Sequence, residues 1–180
     1  MKNINISDLM TREDRQHIIK SNFDKKWLDI EIKYPAIFAS SKVLRDFIVD
    51  IADFFHFKWT WKSRLTLIAD ELNNNWIEYW SLETDLNKMF ISIVTLWDEI
   101  ELFLEVEDTW KWKEAKTAKE MILKRNTKKL MWFNKNNWIR GRWLFMIIEK
   151  LVDELYFKDW DNWDNWGLIV WIRKKIEIEN

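Results

Sequence analysis

Cysteine is absent from the 180 residues, which excludes disulfides and thiolate metal centres. A basic-then-apolar leader and a long uncharged apolar run are also missing, so the expectation is a cytoplasmic protein that does not enter a membrane. Charge of one sign is not in excess, with 29 Lys+Arg against 30 Asp+Glu. No global field therefore marks the chain as binding nucleic acid directly, and any basic site must be local. Proline occurs 1 time and glycine 2 times, where ordinary usage of roughly 7% glycine predicts about a dozen. Tryptophan, normally rare, occurs 15 times. Because turns with positive φ need Gly, or less often Asn or Asp, the places where tryptophan sits carry information. The length suits one domain with a sizeable core.

Ser7 to Lys20 has helix-start chemistry and a mostly polar character, giving a short N-terminal helix that reads as an appendage. Leu28 to Lys33 alternates as LDIEIK, a half-buried strand that Pro35 stops. After Ser40 and Ser41 as candidate caps, Val43 to Phe55 places apolar residues at helical spacing, and a second helix runs from Lys62 to about Tyr79. Met89 to Leu96 and Glu99 to Val106 form a hairpin closed at Trp97-Asp98, with Trp97 at a position that wants glycine. In DWDNWDNWG, Asp159 to Gly167, Trp160, Trp163 and Trp166 follow Asp or Asn as glycine does in turns; the segment joins strand-like Leu155 to Lys158 and Leu168 to Ile176. Trp80 ends the second helix where a glycine C-cap is usual. Between the hairpins lie a Lys-rich stretch from Lys111 to Arg142 and a helix from about Leu144. Antiparallel strands with helices packed on one face make an α+β two-layer sandwich the expected fold.

Three segments carry chemistry. Glu71 and Asn75 in DELNNNWIEYW stand at i and i+4, so a carboxylate and an amide share one helix face and suit a general base and a metal ligand. Taken alone, this reads as a solvated polar face. Val106 to Trp112, VEDTWKW, follows a strand and contains Asp108; with glycine at Trp110 and Trp112 it becomes an acidic residue before a glycine-spaced turn. Asn137 to Ile147, NWIRGRWLFMI, becomes a glycine-rich loop entering a helix once Trp138 and Trp143 join Gly141 as glycine. Such a loop lets backbone N–H groups meet phosphate. As printed, it reads as an ordinary apolar helix start.

Together the three segments resemble the histidine-kinase-like ATPase superfamily, the GHKL or Bergerat group, over roughly Leu28 to Ile176, and within it most nearly the anti-sigma-factor serine/threonine kinases. The resemblance implies the Bergerat ATP-binding fold with ATP and Mg²⁺ as cofactors. It makes Glu71 the catalytic base, Asn75 the magnesium ligand and Asp108 the adenine-binding residue. Trp110, Trp112, Trp138, Gly141, Arg142, Trp143 and Leu144 fall on the glycine-rich turn and the phosphate-and-lid motif. Residues 1–26 become an N-terminal helical extension and 27–180 the ATP-binding domain. A sigma factor and an anti-anti-sigma protein are the implied partners, and a homodimer is an assembly it allows. The basic residues between the second and third motifs, from Lys111 to Arg142, suit an ATP lid.

Departures from the family pattern share one form: Trp80, Trp110, Trp112, Trp138 and Trp143 stand where glycine is expected. One explanation covers these sites and the hairpin turns alike, namely a source that reads UGA as glycine and a sequence translated with UGA as tryptophan. Restoring glycine at the 15 tryptophans brings its share to roughly 9%, near the ordinary level of roughly 7%. Tyr79 replaces a frequent family histidine, and Gly167-Leu168-Ile169 lacks the threonine that commonly assists adenine binding. His17 and His56 read as surface or packing residues. Two other functions compete: the catalytic domain of a sensor histidine kinase, weakened because the 26 residues before the first strand hold no two-helix phosphoacceptor module, and a non-enzymatic module whose tryptophans stack bases or sugars, which requires the tryptophans to be genuine.

Overall fold

The structure is a computed structural model and describes residues 2–5, 11–77, 81, 84–97, 99–107, 117–132, 150–162 and 165–177. In chain order these form β1 (Lys2–Asn5), α1 (Arg12–Asn22), β2 (Phe23–Asp24), β3 (Trp27–Pro35), α2 (Phe38–Phe54), α3 (Trp59–Asn75), β4 (Leu86–Thr95), β5 (Glu99–Glu107), α4 (Ala118–Trp132), β6 (Glu154–Asn162) and β7 (Asn165–Glu177). The sheet order is β1-β3-β4-β5-β7-β6, and β2 pairs with β3. All pairings are antiparallel except β1 with β3. The fold is therefore α+β.

Alternation decides which sheet face is covered. Leu28, Ile30, Ile32 and Tyr34 of β3, Met89, Ile91 and Ile93 of β4, Ile100, Leu102, Leu104 and Val106 of β5, and Leu168, Val170 and Ile172 of β7 all turn inward. They share one core with Leu44, Phe47, Ile48 and Ile51 of α2, Leu65, Ile68 and Leu72 of α3, and Met121 of α4. The intervening residues, such as Glu101, Phe103, Glu105 and Glu107, line the other face half-buried. There Glu105 sits between Phe90 and Trp171 in register. Burial raises its carboxyl above the usual range, the nearby Glu107 charge adds to this, and Lys158 opposes it.

The N-terminal stretch is joined to this body. β1 lies along β3, Ile19 of α1 enters the core, and Arg15 of α1 pairs with buried Asp50 of α2 at 2.7 Å. Thr11 and Asp14 close a capping box at the start of α1. α2 begins earlier than its apolar spacing suggests, and Ser40 and Ser41 are not its caps. Pro35 ends β3, Ala36 N–H donates to Asp85 C=O at 3.0 Å, and the helix starts at once behind Ile37, which gives no side-chain cap. Ser40 Oγ donates to Pro35 C=O at 2.8 Å, and Ser41 faces α3.

The far end of α2 shows why His56 is where it is. His56 has φ 54°, His56 N–H donates to Asp53 C=O at 3.2 Å, and Phe57 N–H donates to Ala52 C=O at 2.9 Å. This is a Schellman termination with histidine at the left-handed position that glycine normally takes. His56→Gly removes the Cβ clash and is expected to raise stability by about 1 kcal/mol, a rise in Tm of about 2–4 °C. His56→Ala is expected to give no gain in the same melts.

Both long hairpins close on the same dipeptide. Leu96 N–H donates to Glu99 C=O at 2.8 Å beyond the Thr95–Ile100 pair, which leaves Trp97-Asp98 as the loop. Asn162 pairs with Asn165, leaving Trp163-Asp164 between them. Trp160 and Trp166, expected in a turn, are instead ladder positions opposite Gly167 and Asp161. The inward alternation of Leu168, Val170 and Ile172 sets a register that carries the ladder through them. Trp97 is 96% exposed, as expected for a turn. Among the described residues the non-glycine positions with positive φ are Lys25 and His56, and Trp97 is not one of them. An indole-bearing residue makes the left-handed conformation costly, and Trp97 does not take the left-handed position that a type II′ turn gives to glycine.

Candidate functional site

α3 carries the first motif. Thr66 Oγ1 donates to Lys62 C=O, and Leu65, Ile68, Ala69 and Leu72 bury one stripe of the helix, leaving Glu71 and Asn75 half-buried beside it. The expected i, i+4 relation therefore holds within one helix. Asn75 Nδ2 donates to the Glu71 backbone carbonyl. With Nδ2 engaged in this way, the amide oxygen is the end that can meet a hard cation, and an oxygen donor one turn from a carboxylate fits Mg²⁺ chemistry. Among the described residues no group of three His, Asp or Glu side chains gathers as a metal centre.

Of the helix expected to reach about Tyr79, residues up to Asn75 are α-helical, and 78–80 lie outside the described residues. Beyond Asn75, residues 76–77 continue in a wider turn in which Ser81 N–H reaches Trp76 C=O at 2.9 Å. Ser81 Oγ then donates to Asn87 Oδ1 at 2.7 Å, in a buried contact. Asn87 lies at the start of β4, next to Lys88, which is in register with Glu107 at the end of β5 and bonds it at 2.8 Å. Ile169 near the start of β7 pairs with Glu107 from the other side. Thus the end of α3, the end of β5 and the start of β7 meet along one end of the sheet.

Asp108 is the residue after that strand end. Asp108 itself, with Trp110, Trp112, Trp138, Gly141, Arg142, Trp143 and Leu144, lies outside the described residues, as does Trp80. Of the helix expected from about Leu144, only its last residues before β6 are described. Within the Lys-rich stretch, α4 has Thr117 and Glu120 closing a capping box at its start. Asp159 of β6 accepts from Ala118 N–H at 2.6 Å, and Arg125 donates to Leu155 C=O. The Lys-rich segment, irregular or helical by its sequence, is helical over Ala118–Trp132 and docked on β6.

Sequence reading missed a buried polar group behind the helix. Asn73 Nδ2 donates to Ser41 Oγ at 2.7 Å, and Ser41 Oγ donates to Asn74 Oδ1 at 3.1 Å. The signal lies in three successive asparagines, of which helical spacing from Glu71 singles out only Asn75. Tyr34 on β3 and Asn87 on β4 are in register and both buried. Tyr34 OH, Asn73 Oδ1 and Asn87 Nδ2 find no partner among the described residues, and burial pushes the Tyr34 phenol well above its ordinary pKa.

Of the tryptophans with described side chains, Trp27, Trp59, Trp61, Trp97 and Trp171 are exposed or half-buried, and Trp76 alone is fully buried. Lys26 stands over the Trp97 ring and Arg64 over the Trp61 ring, and Tyr156 stacks on Trp171 at 4.2 Å. These are surface decorations. No helix among the described residues is long and apolar enough to cross a membrane. No protein-family model matches the chain, and no curated protein matches it.

Proposed function

We propose that this chain is an ATP-binding protein of the histidine-kinase-like superfamily with the Bergerat fold, acting as an anti-sigma regulatory factor with protein-serine/threonine kinase activity. The observation that carries this reading is the convergence at one end of the sheet: the helix end bearing Glu71 and Asn75 is tied through Ser81 and Asn87 to the strand pair that delivers residue 108. A mostly antiparallel sheet covered on one face by helices suits such a site.

In this reading Asn75 offers its amide oxygen to Mg²⁺, and Glu71 accepts the proton of a serine or threonine hydroxyl as it becomes the nucleophile. Asp108 accepts a hydrogen bond from the adenine amino group, and the 138–143 loop turns backbone N–H groups toward phosphate. Mg²⁺-ATP, when bound, supplies the phosphoryl group. The sigma factor and the anti-anti-sigma protein are the proposed partners.

The proposal includes glycine as the natural residue at the 15 tryptophan positions. Two facts support it: the sequence puts Trp-Asp between the last paired residues of both long hairpins, where Gly-X is a favoured dipeptide, and most described tryptophans contribute nothing to the core. The coding DNA is expected to hold TGA at Trp97, Trp110, Trp112, Trp143, Trp160, Trp163 and Trp166, and TGG at these sites would remove the explanation. Protein from its own host is expected to weigh less than 22.4 kDa. The function itself is tested by Mg²⁺-dependent ATP binding of the full glycine chain.

A further inference from the structure

We propose that Ser41 is a positioning residue for the candidate site: its hydroxyl tethers the last turn of α3 and so sets the direction in which Glu71 and Asn75 point. This rests on the nucleotide-binding reading above. Ser41 is buried in the first turn of α2, where its Oγ does two jobs at once. It accepts from Asn73 Nδ2 at 2.7 Å and donates to Asn74 Oδ1 at 3.1 Å. Two consecutive α3 residues, about 100° apart around the helix axis, are thereby held by one atom of a neighbouring helix. That contact restrains rotation of the turn more tightly than a single bond could. Asn75 is the next residue, and Glu71 lies one turn back on the same face.

The tether gains weight in the glycine chain. With tryptophan at position 76, the fully buried indole packs this turn into the core. Glycine there removes that packing and weakens the helix locally, because its backbone is the freest of all residues. The Ser41 bridge then ties α2 to the turn bearing Asn75 by hydrogen bonds, beside the buried Leu72. Ser40, its neighbour, cannot substitute, since its hydroxyl is committed to Pro35 C=O.

The test is ATP titration by calorimetry, with and without Mg²⁺, on the full chain carrying glycine at the 15 positions, compared with its Ser41→Ala variant. The expected result is a loss of about tenfold in the affinity gained from Mg²⁺, with affinity in EDTA unchanged within about twofold, the scale of breaking a buried hydrogen-bonded pair. Equal losses in both conditions, or none, would overturn the proposal. Should the glycine chain with Ser41 intact bind no ATP, the nucleotide reading fails, and hydrogen exchange on the tryptophan chain decides the tether separately. There Ser41→Ala is expected to speed exchange at amides 74–77 about tenfold while β4 and β5 stay protected. Uniform acceleration or no change would overturn the tether itself.

Discussion

The full chain with glycine at all 15 tryptophan positions is expected to bind ATP in the presence of Mg²⁺, whereas the tryptophan chain is expected to bind it poorly or not at all. The cause is steric. A turn that presents backbone N–H groups to phosphate or adenine needs absent Cβ atoms, and indoles at Trp110, Trp112 and Trp143 would occupy the nucleotide's volume. Each tenfold by which the glycine chain binds more tightly than the tryptophan chain corresponds to about 1.4 kcal/mol of binding free energy gained by the exchange. Asn75→Ala in that background is expected to weaken only the Mg²⁺-dependent part. Glu71→Ala is expected to leave binding within about twofold and slow phosphoryl transfer by about 10²–10⁴-fold, because a base acts in the transition state. Asp108→Ala is expected to erase the preference for adenine over guanine nucleotides. A glycine chain that folds, by circular dichroism and a cooperative melt, yet binds no nucleotide would favour a protein-binding role for the fold.

How much of this could be read from the residues follows from which forces are local. The strands were legible because burial of one face imposes a period of two, which LDIEIK, MFISIVTL and EIELFLEV display openly. The i, i+4 placement of Glu71 and Asn75 is helix geometry and needs nothing further. Boundaries fixed by tertiary contacts were not legible. Ser40 and Ser41 look like caps, but their hydroxyls answer to Pro35 and to α3, groups distant in sequence or set by the β3–α2 corner. Asp159 looked like part of a turn and instead caps α4 from a strand. Trp160 and Trp166 carry turn-like neighbours, yet register imposed from the core end of β7 draws them into the ladder. Polar side chains that join elements are invisible to periodicity, and here they hold the candidate site in place.

Arg15→Ala is expected to destabilise the protein by about 3 kcal/mol, the lower end of the range for removing one partner of a buried ion pair. The Asp50 carboxylate is 3% exposed and lies 2.7 Å from Arg15 Nε, in an interface between α1 and α2. Arg12 also reaches Asp50, at 3.3 Å, but its side chain is 60% exposed, so water screens most of its attraction. Truncating Arg15 therefore leaves a desolvated carboxylate with a weak partner, and Tm is expected to fall by about 6–12 °C. Arg12→Ala is expected to cost less than about 1 kcal/mol. The double variant Arg15→Met, Asp50→Leu is expected to recover most of the loss, since a pair that costs much to break costs little to replace with apolar groups of similar size. Equal costs for Arg12→Ala and Arg15→Ala would mean that exposure does not govern these two contacts, and that the docking of α1 rests on Ile19 and the β1 pairing instead.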